Sequence, residues 1–308
     1  MKFLLFLSRR LLWIVLTLWV VYTLSFLLMH SVPGGPFSSE RKMSDATKRN
    51  IEERYRLDQP LPVQYAEHLG RAVFQGDLGL SYRLGDFTVN RVIAEGLPVS
   101  ASLGIMALTF AVLFGVTAGI CSAIRRNSMT DVSLMGVAAV GVSVPNFVLA
   151  GLAIMLFVFG LGWFPAGGWG TLRQLILPSL CLAAPYSAYI ARLTRTGMLE
   201  VMHLDYIRTA HAKGLSEGRV VLNHMLRGAL LPVVSFLGPA TAGILTGSPI
   251  LEKIFNIPGL GNHFVESALQ RDYTLCQGIV LVYTTLLLSM NALVDIAYVI
   301  IDPRVKME

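Results

Sequence analysis

The stretch "YIRTAHAKGLSEGRV", Tyr206 to Val220, is polar and largely basic, yet strongly apolar runs flank it on both sides. Leu199, Met202, Tyr206, Ala210 and Lys213 recur every three to four residues, the period of a helix with one partly apolar face, and Gly214 ends the run. A second helical run with Val220, Val221, His224, Met225 and Leu226 leads toward Pro232. The pattern predicts helix, glycine-marked turn, helix. Periodicity allows two roles for such a hairpin: an amphipathic element resting on lipid headgroups, or a surface presented to another protein.

The apolar runs around it set the solvent. Of 308 residues, 54% are hydrophobic and 14% charged, against about 25% charged in a soluble domain. Leu11–Met29 carries no charge and follows Lys2, Arg9 and Arg10. A signal peptide has an apolar core of only about 7–15 residues and a small-residue cleavage site. This run is longer and ends "MHSVPGGPF", so it reads as a retained signal anchor, long enough to span. Further uncharged stretches are Gly96–Ile124, Val132–Leu172, Gln174–Ala191, Gly228–Leu251 and Tyr273–Val294. The second is too long for one span, and its "LGWFPAGGWG" (Leu161–Gly170) suits an interfacial turn. The expectation is an all-α integral membrane protein of six transmembrane helices: residues 1–30, then about 98–124, 132–160, 173–192, 229–251 and 274–300, within a core of 98–301.

Lysine and arginine counts orient it. With the N-terminus inside, the inner side holds thirteen basic and six acidic residues, and the outer side twelve of each. With Asp295 inside a span these counts give the net charge of +6; the whole positive excess lies on the cytoplasmic face, spread over separate loops, and both termini, including the tail 302–308, are expected there. That dispersal argues against nucleic acid as a partner. Residues 31–97 form a large extracytoplasmic segment, partly helical: Val63, Ala66, Leu69 and Val73 recur at helical spacing, as do Ile51 with Tyr55 and Glu52 with Arg56. This segment is expected to pack on the membrane part or on a partner. No internal repeat or low-complexity tract is present.

Catalytic motifs are missing. There is no Walker A loop, no GxGxxG after a strand and no GxSxG; "GVSVP" (Gly141–Pro145) lacks the second glycine. Cys121, Cys181 and Cys276 are odd in number and widely spaced, and they read as small buried hydrophobes. Neither a CxxC pair nor HExxH is present, so no metal site and no bound cofactor are expected. A secondary transporter or channel would show more intramembrane charge, inverted repeats or a filter. Asp295, with Asn291 one turn before it, is the one carboxylate well inside a span; it reads as half of a structural pair with a basic residue of the 192–227 loop, or as a proton relay. Gly115–Gly119 and Gly243–Gly247 form GxxxG patterns, suited to packing within the chain or between subunits. Prolines 145, 178, 185, 232 and 239 sit in or at the ends of spans and can kink them. Ser143, Asn146, Ser187, Thr241, Thr246 and Ser248 are polar or small residues in spans and candidates to line a path.

"DYIRTAHAKGLSEGRVVLNHMLRGALLPVVS" (Asp205–Ser235) resembles the cytoplasmic loop of type I ABC importer permeases of the dipeptide/oligopeptide branch. The general family signature, Glu-Ala-Ala, three residues, Gly, corresponds to Arg208-Thr209-Ala210 and Gly214; Arg208 replaces the Glu, a departure usual in the peptide branch. "HSVPGGPF" (30–37), "GDLGLSYRLGDFTVNRVIAEGLPVSASLG" (76–104), "ILTGSPILEKIFNIPGLG" (244–261), "RDYTL" (271–275) and "NALVDIAYVIIDPR" (291–304) resemble the first permease of oligopeptide importers, nearly end to end. The resemblance implies a bacterial inner-membrane subunit without enzymatic activity of its own. It implies partners: a second, homologous permease in a heterodimer, two ATPase subunits that hold ATP and Mg, and an extracytoplasmic peptide-binding protein. It makes 193–228 the coupling loop, with Arg208, Thr209, Ala210, Lys213, Gly214, Leu215 and Arg219 as the residues that meet the ATPase. Dipeptide and nickel importers share this loop and remain alternatives for the substrate.

Overall fold

A computed structural model describes residues 2–32, 55–85, 87–245 and 247–301, with side chains from Ser8 onward except at 294, 295 and 297–301. Among the described residues the chain is helical and has no strand; Leu80 and Thr88 form an isolated antiparallel bridge. The helices are α1 (Lys2–Ser31), α2 (Leu61–Gly70), α3 (Val89–Ile124), α4 (Met129–Ser143), α5 (Asn146–Ala153), α6 (Leu172–Val201), α7 (Asp205–Ala212), α8 (Glu217–Val220), α9 (Leu226–Ala229), α10 (Leu231–Leu245), α11 (Pro249–Ile254), α12 (Leu260–Gln270) and α13 (Tyr273–Ile301). Single π-helical segments extend α2 (Arg71–Gln75) and α5 (Ile154–Gly160) and join α8 to α9 (Val221–Met225). Among the described residues, four helices are long and apolar enough to cross a membrane, up to six if each of two bent pairs counts as one span.

Two of the expected spans fall on the bent pairs. The run 132–160 is not one helix: α4 and the α5 segment meet at 113°. Pro145 is the cause. A proline disfavours the helical region for the residue before it, and Val144 stands extended at φ −87°, ψ 126°. The run 229–251 is also divided. Glu217–Ala229 and α10 meet at 58°, α10 ends at Leu245, and α11 begins separately behind Ser248, whose hydroxyl accepts from the Leu251 N–H. The sixth run is one helix, α13. Pro178, Pro185 and Pro239 lie inside continuous helices, whereas Pro145 and Pro232 stand at the two bends.

The chain divides into two compact units. The first comprises the described residues of 1–100 and 258–289. Its core joins Val89, Val92 and Ile93 of α3 to Leu260 of α12 and to Leu275 and Ile279 of α13. A Cβ on Gly278 would lie 2.5 Å from Val89 Cγ1, so the close approach of α3 and α13 requires the glycine. Asp272 heads α13 as its N-cap, accepting from the Leu275 N–H (3.1 Å), and also receives the Ser81 hydroxyl and the Arg83 N–H (3.1 Å). Thr274 Oγ1 donates to Leu80 O (2.6 Å). One buried carboxylate thus ties the turn before α3 to the head of α13. Rings continue the join: Phe26 and His30 of α1 meet Tyr65 and Tyr273, and Tyr82 lies between Tyr55 and Tyr273. Ile51 and Glu52 lie outside the described residues, and Arg56 pairs with Glu67.

Helix α2 packs on α1 and α13, but not through the stripe expected. Gln64, Tyr65 and His68 face the protein, while Val63, Ala66 and Val73 are exposed and Leu69 is half-buried.

The second unit comprises the described residues of 101–257 and 290–301. Helix α6 is its axis, with about half of its length buried, including Leu175, Leu182, Ala188, Ile190 and Met198. The GxxxG of α3 serves packing inside the chain. A Cβ on Gly115 would lie 2.7 Å from Ile190 Cβ, and one on Gly119 would lie 2.5 Å from Thr194 Cβ.

Candidate functional site

The hairpin after α6 keeps the predicted period but is placed differently. The expected single helix from Leu199 to Lys213 is two: α6 runs to Val201, residues 202–204 turn, and α7 starts at Asp205. Helix α7 then closes with a Schellman motif. The Gly214 N–H donates to His211 O (2.9 Å) and the Leu215 N–H to Ala210 O (3.4 Å), with Gly214 at φ +74°. Nothing lies within 4 Å of the Cβ that Gly214 lacks, so the left-handed backbone, not crowding, calls for glycine.

The apolar face of the hairpin turns inward. Ile207 and Ala210 of α7 and Val220, Val221, Met225 and Ala229 of the second arm form one cluster with Ala123 at the end of α3 and Met198 and Val201 at the end of α6. Leu215 packs on that cluster, and Ala210 is only 4% exposed. At Gly197 a Cβ would lie 2.3 Å from Ala229 O, so the second arm lies directly on α6. Burying these side chains contributes roughly 1.5–3 kcal/mol for each large one, ample to hold the hairpin against the ends of two long helices.

What remains outside is mostly polar. Asp205, Arg208, Thr209, His211, Lys213, Glu217 and Arg219 are exposed. Arg208 approaches Asp205 at 3.6 Å, but their side chains are 73% and 98% exposed, so the pair leaves both free for other contacts. Thr209 Oγ1 is spent on Asp205 O (2.9 Å), and His211 stands 4.0 Å from Glu217. Leu204, Tyr206 and Leu222 are the large exposed apolar side chains of the hairpin. Of the seven residues singled out from sequence, Arg208, Thr209, Lys213, Gly214 and Arg219 lie on the outer side; Ala210 and Leu215 belong to the internal packing.

An ion pair that the sequence did not reveal sits at the same end of the second unit. Arg195 of α6 holds Asp131 of α4 in a fork, Nε to Oδ1 and Nη2 to Oδ2, both 2.8 Å. Asp131 also accepts from the Ser122 hydroxyl of α3 and from the Asn127 N–H (2.9 Å) in the turn between α3 and α4. Three helices thus meet on one carboxylate that is nearly fully buried. The local half was legible as Ser128-x-x-Asp131, since Ser128 caps α4; the Arg195 half, sixty-four residues away, was not.

The candidate path residues are scattered. Ser143 ends α4, Asn146 opens α5, Thr241 bonds back to Leu237 O (2.6 Å), and Ser248 caps α11. Ser187 is half-buried where α6 meets Gly115. Asn291 is half-buried in α13; Thr246 and the side chain of Asp295 lie outside the described residues. Among the described residues, no group of three or more His, Cys, Asp or Glu is arranged to hold a metal ion.

Long apolar helices, one sharply bent pair and a packed hairpin with a polar outer face define an all-helical protein built to sit in a membrane. Solved structures share the fold. The MetNI methionine ABC transporter in inward-facing conformations matches with a TM-score of 0.56 at 17% identity, covering 69% of this chain and 95% of that one. An amino acid ABC transporter matches at 0.53 and 18% identity, covering 68% and 93%.

The chain belongs to the family of binding-protein-dependent transport system inner membrane components, matched over residues 111–307, with the N-terminal component of such proteins matched over 3–104. It is 47% identical to the oligopeptide transport system permease protein OppB of Haemophilus influenzae over 98% of this chain and 99% of that one. It is 44% identical to OppB of Escherichia coli K12 with the same coverage. The dipeptide transport system permease protein DppB of Bacillus subtilis is 45% identical over 94% of each chain.

Proposed function

We propose that this chain is a permease subunit of an ATP-driven peptide importer in a bacterial inner membrane, with six spans and both termini in the cytoplasm. The full-length similarity to oligopeptide and dipeptide permeases supports the substrate class. The observation that carries the mechanism is the hairpin's division of faces: its apolar side is consumed by the chain's own core, and its polar side is free. An amphipathic element resting on lipid would turn the apolar side outward. This one suits a soluble protein surface instead.

The partner is an ATPase subunit, which binds the ATP and Mg; a second permease completes the path, and an extracytoplasmic binding protein delivers the peptide. Arg208, Lys213 and Arg219 make charge-assisted contacts with the ATPase. When the ATPases close on ATP, they displace the hairpin. Its shared core with the ends of α3 and α6 carries that displacement into the membrane part as a rigid-body motion. The Asp131–Arg195 fork makes α4 follow. Ser143 and Asn146 flank the proline break between α4 and α5 and belong to the path, as do Thr241, Thr246 and Ser248; Asp295 and Asn291 serve structure. Residues 31–97 form the extracytoplasmic part that meets the binding protein.

The test is the ATPase activity of the purified complete importer in lipid, with its binding protein loaded with oligopeptides, dipeptides or nickel. Stimulation by oligopeptides is expected. Stimulation by nickel alone would overturn the peptide reading.

A further inference from the structure

Helix α2 and its π-helical extension are inside out for an element in water. Gln64, Tyr65 and His68 point toward the protein, where Gln64 Nε2 donates to Leu57 O (3.2 Å) and Gln59 O (2.8 Å). The outward side carries Leu61, Pro62, Val63, Ala66, Val73, Phe74 and Gln75, with Glu67 and Arg71 half-buried at its edge. Val73 is 64% exposed and Phe74 87%. A water-facing helix places its polar side chains outward; this one exposes an uncharged stripe.

Its position explains the reversal. Tyr65 touches α1 at Tyr22 and Phe26, with ring centroids 5.7 and 5.4 Å apart, and its hydroxyl shares a 2.8 Å hydrogen bond with Thr23. His68 and Ala72 enclose a small cavity with Tyr22 and with Thr274, Gln277 and Leu281. At 1.5 Å per residue, Tyr22 lies about 13 Å below the end of α1 at Ser31, and Leu281 about 12 Å below the start of α13. The helix therefore lies beside the outer part of two spans rather than above them. At that level α1 exposes Leu24, Leu27 and Leu28, an apolar face of the same kind. We infer that residues 61–75 are an interfacial helix whose apolar stripe, with Val73 and Phe74, sits among lipid acyl chains on the side of the membrane opposite the N-terminus. Trapping the aromatic and aliphatic tip there anchors the segment that precedes α3.

The experiment attaches an NBD fluorophore at Phe74→Cys in the full chain, with Cys121, Cys181 and Cys276 replaced by alanine, in the complete importer reconstituted in phospholipid nanodiscs. Val73→Cys is the second site should the first impair assembly. Leu84→Cys is the water-side control, because the turn at Ser81–Leu84 is bonded to Asp272 at the very head of α13. Doxyl-labelled phospholipid is expected to remove at least about half of the fluorescence at position 74, while aqueous iodide quenches it at least about three-fold less than at position 84. Iodide quenching equal to that at position 84 would overturn the inference. So would protection from both quenchers, which would mean that a protein partner, not lipid, covers the stripe.

Discussion

The Asp131–Arg195 fork permits a prediction with a sign that a merely crowded contact would not give. The fork joins α4 to α6, and Ser122 adds α3 to the same carboxylate. The Asp131 side chain is 5% exposed and that of Arg195 26%. Removing one partner of a fully buried pair costs about 3–5 kcal/mol. Water reaches Arg195 in part, so Asp131→Leu should cost about 2–3 kcal/mol once the exposed fraction is discounted. Arg195→Leu should cost about 2 kcal/mol, because Asp131 keeps its bonds to Ser122 and Asn127. The double variant removes both charges and leaves neither stranded, so it should cost only about 2 kcal/mol, a coupling of about 2–3 kcal/mol. The assay is reversible unfolding of the permease in detergent across the four members of the cycle. The ATPase activity of the reconstituted importer is read in parallel, and both single variants should lower its stimulation by peptide. If the two losses simply add, with a coupling below about 0.5 kcal/mol, the fork does not hold the helices and the reasoning fails.

Three further predictions follow from the same packing. Gly214→Ala should cost about 1 kcal/mol through its φ of +74° alone, measured by the same unfolding, whereas Gly214→Glu should also abolish peptide uptake while the chain still inserts; normal uptake by the glutamate variant would contradict the coupling role. Gly119→Leu should destabilise by more than the roughly 1–3 kcal/mol usual for overpacking, since even a Cβ would lie 2.6 Å from Ala191 O; unchanged stability would show that α3 and α6 are free to part. Burial, and after it the Arg71 guanidinium, hold the His68 imidazole below its ordinary value. The neutral form is thus favoured in the folded state, and its contribution is complete above the unfolded value of about 6.5 and lost as pH falls from there toward the folded value. His68→Gln should flatten that acid-side loss of stability; an unaltered pH profile would exclude His68 as its source.

The sequence by itself determined much of this protein. Uncharged runs long enough to span and a hairpin that turns at Gly214 follow from composition and period, because lipid and helical geometry impose them locally. Even the break at Pro145 was written in one residue, although the expected span ran through it. Which face of an element turns inward was not local. The hairpin side chains expected to meet a partner split between outside and inside because Ala210 and Leu215 found the ends of α3 and α6 first. The stripe of α2 expected to pack faces outward because Tyr65 and His68 found α1 and α13. Arg195 found Asp131 across sixty-four residues, a pairing that depends on two helices crossing at one depth. Period fixes that a helix has two faces; only the neighbours brought by the tertiary fold decide which of them is covered, and by what.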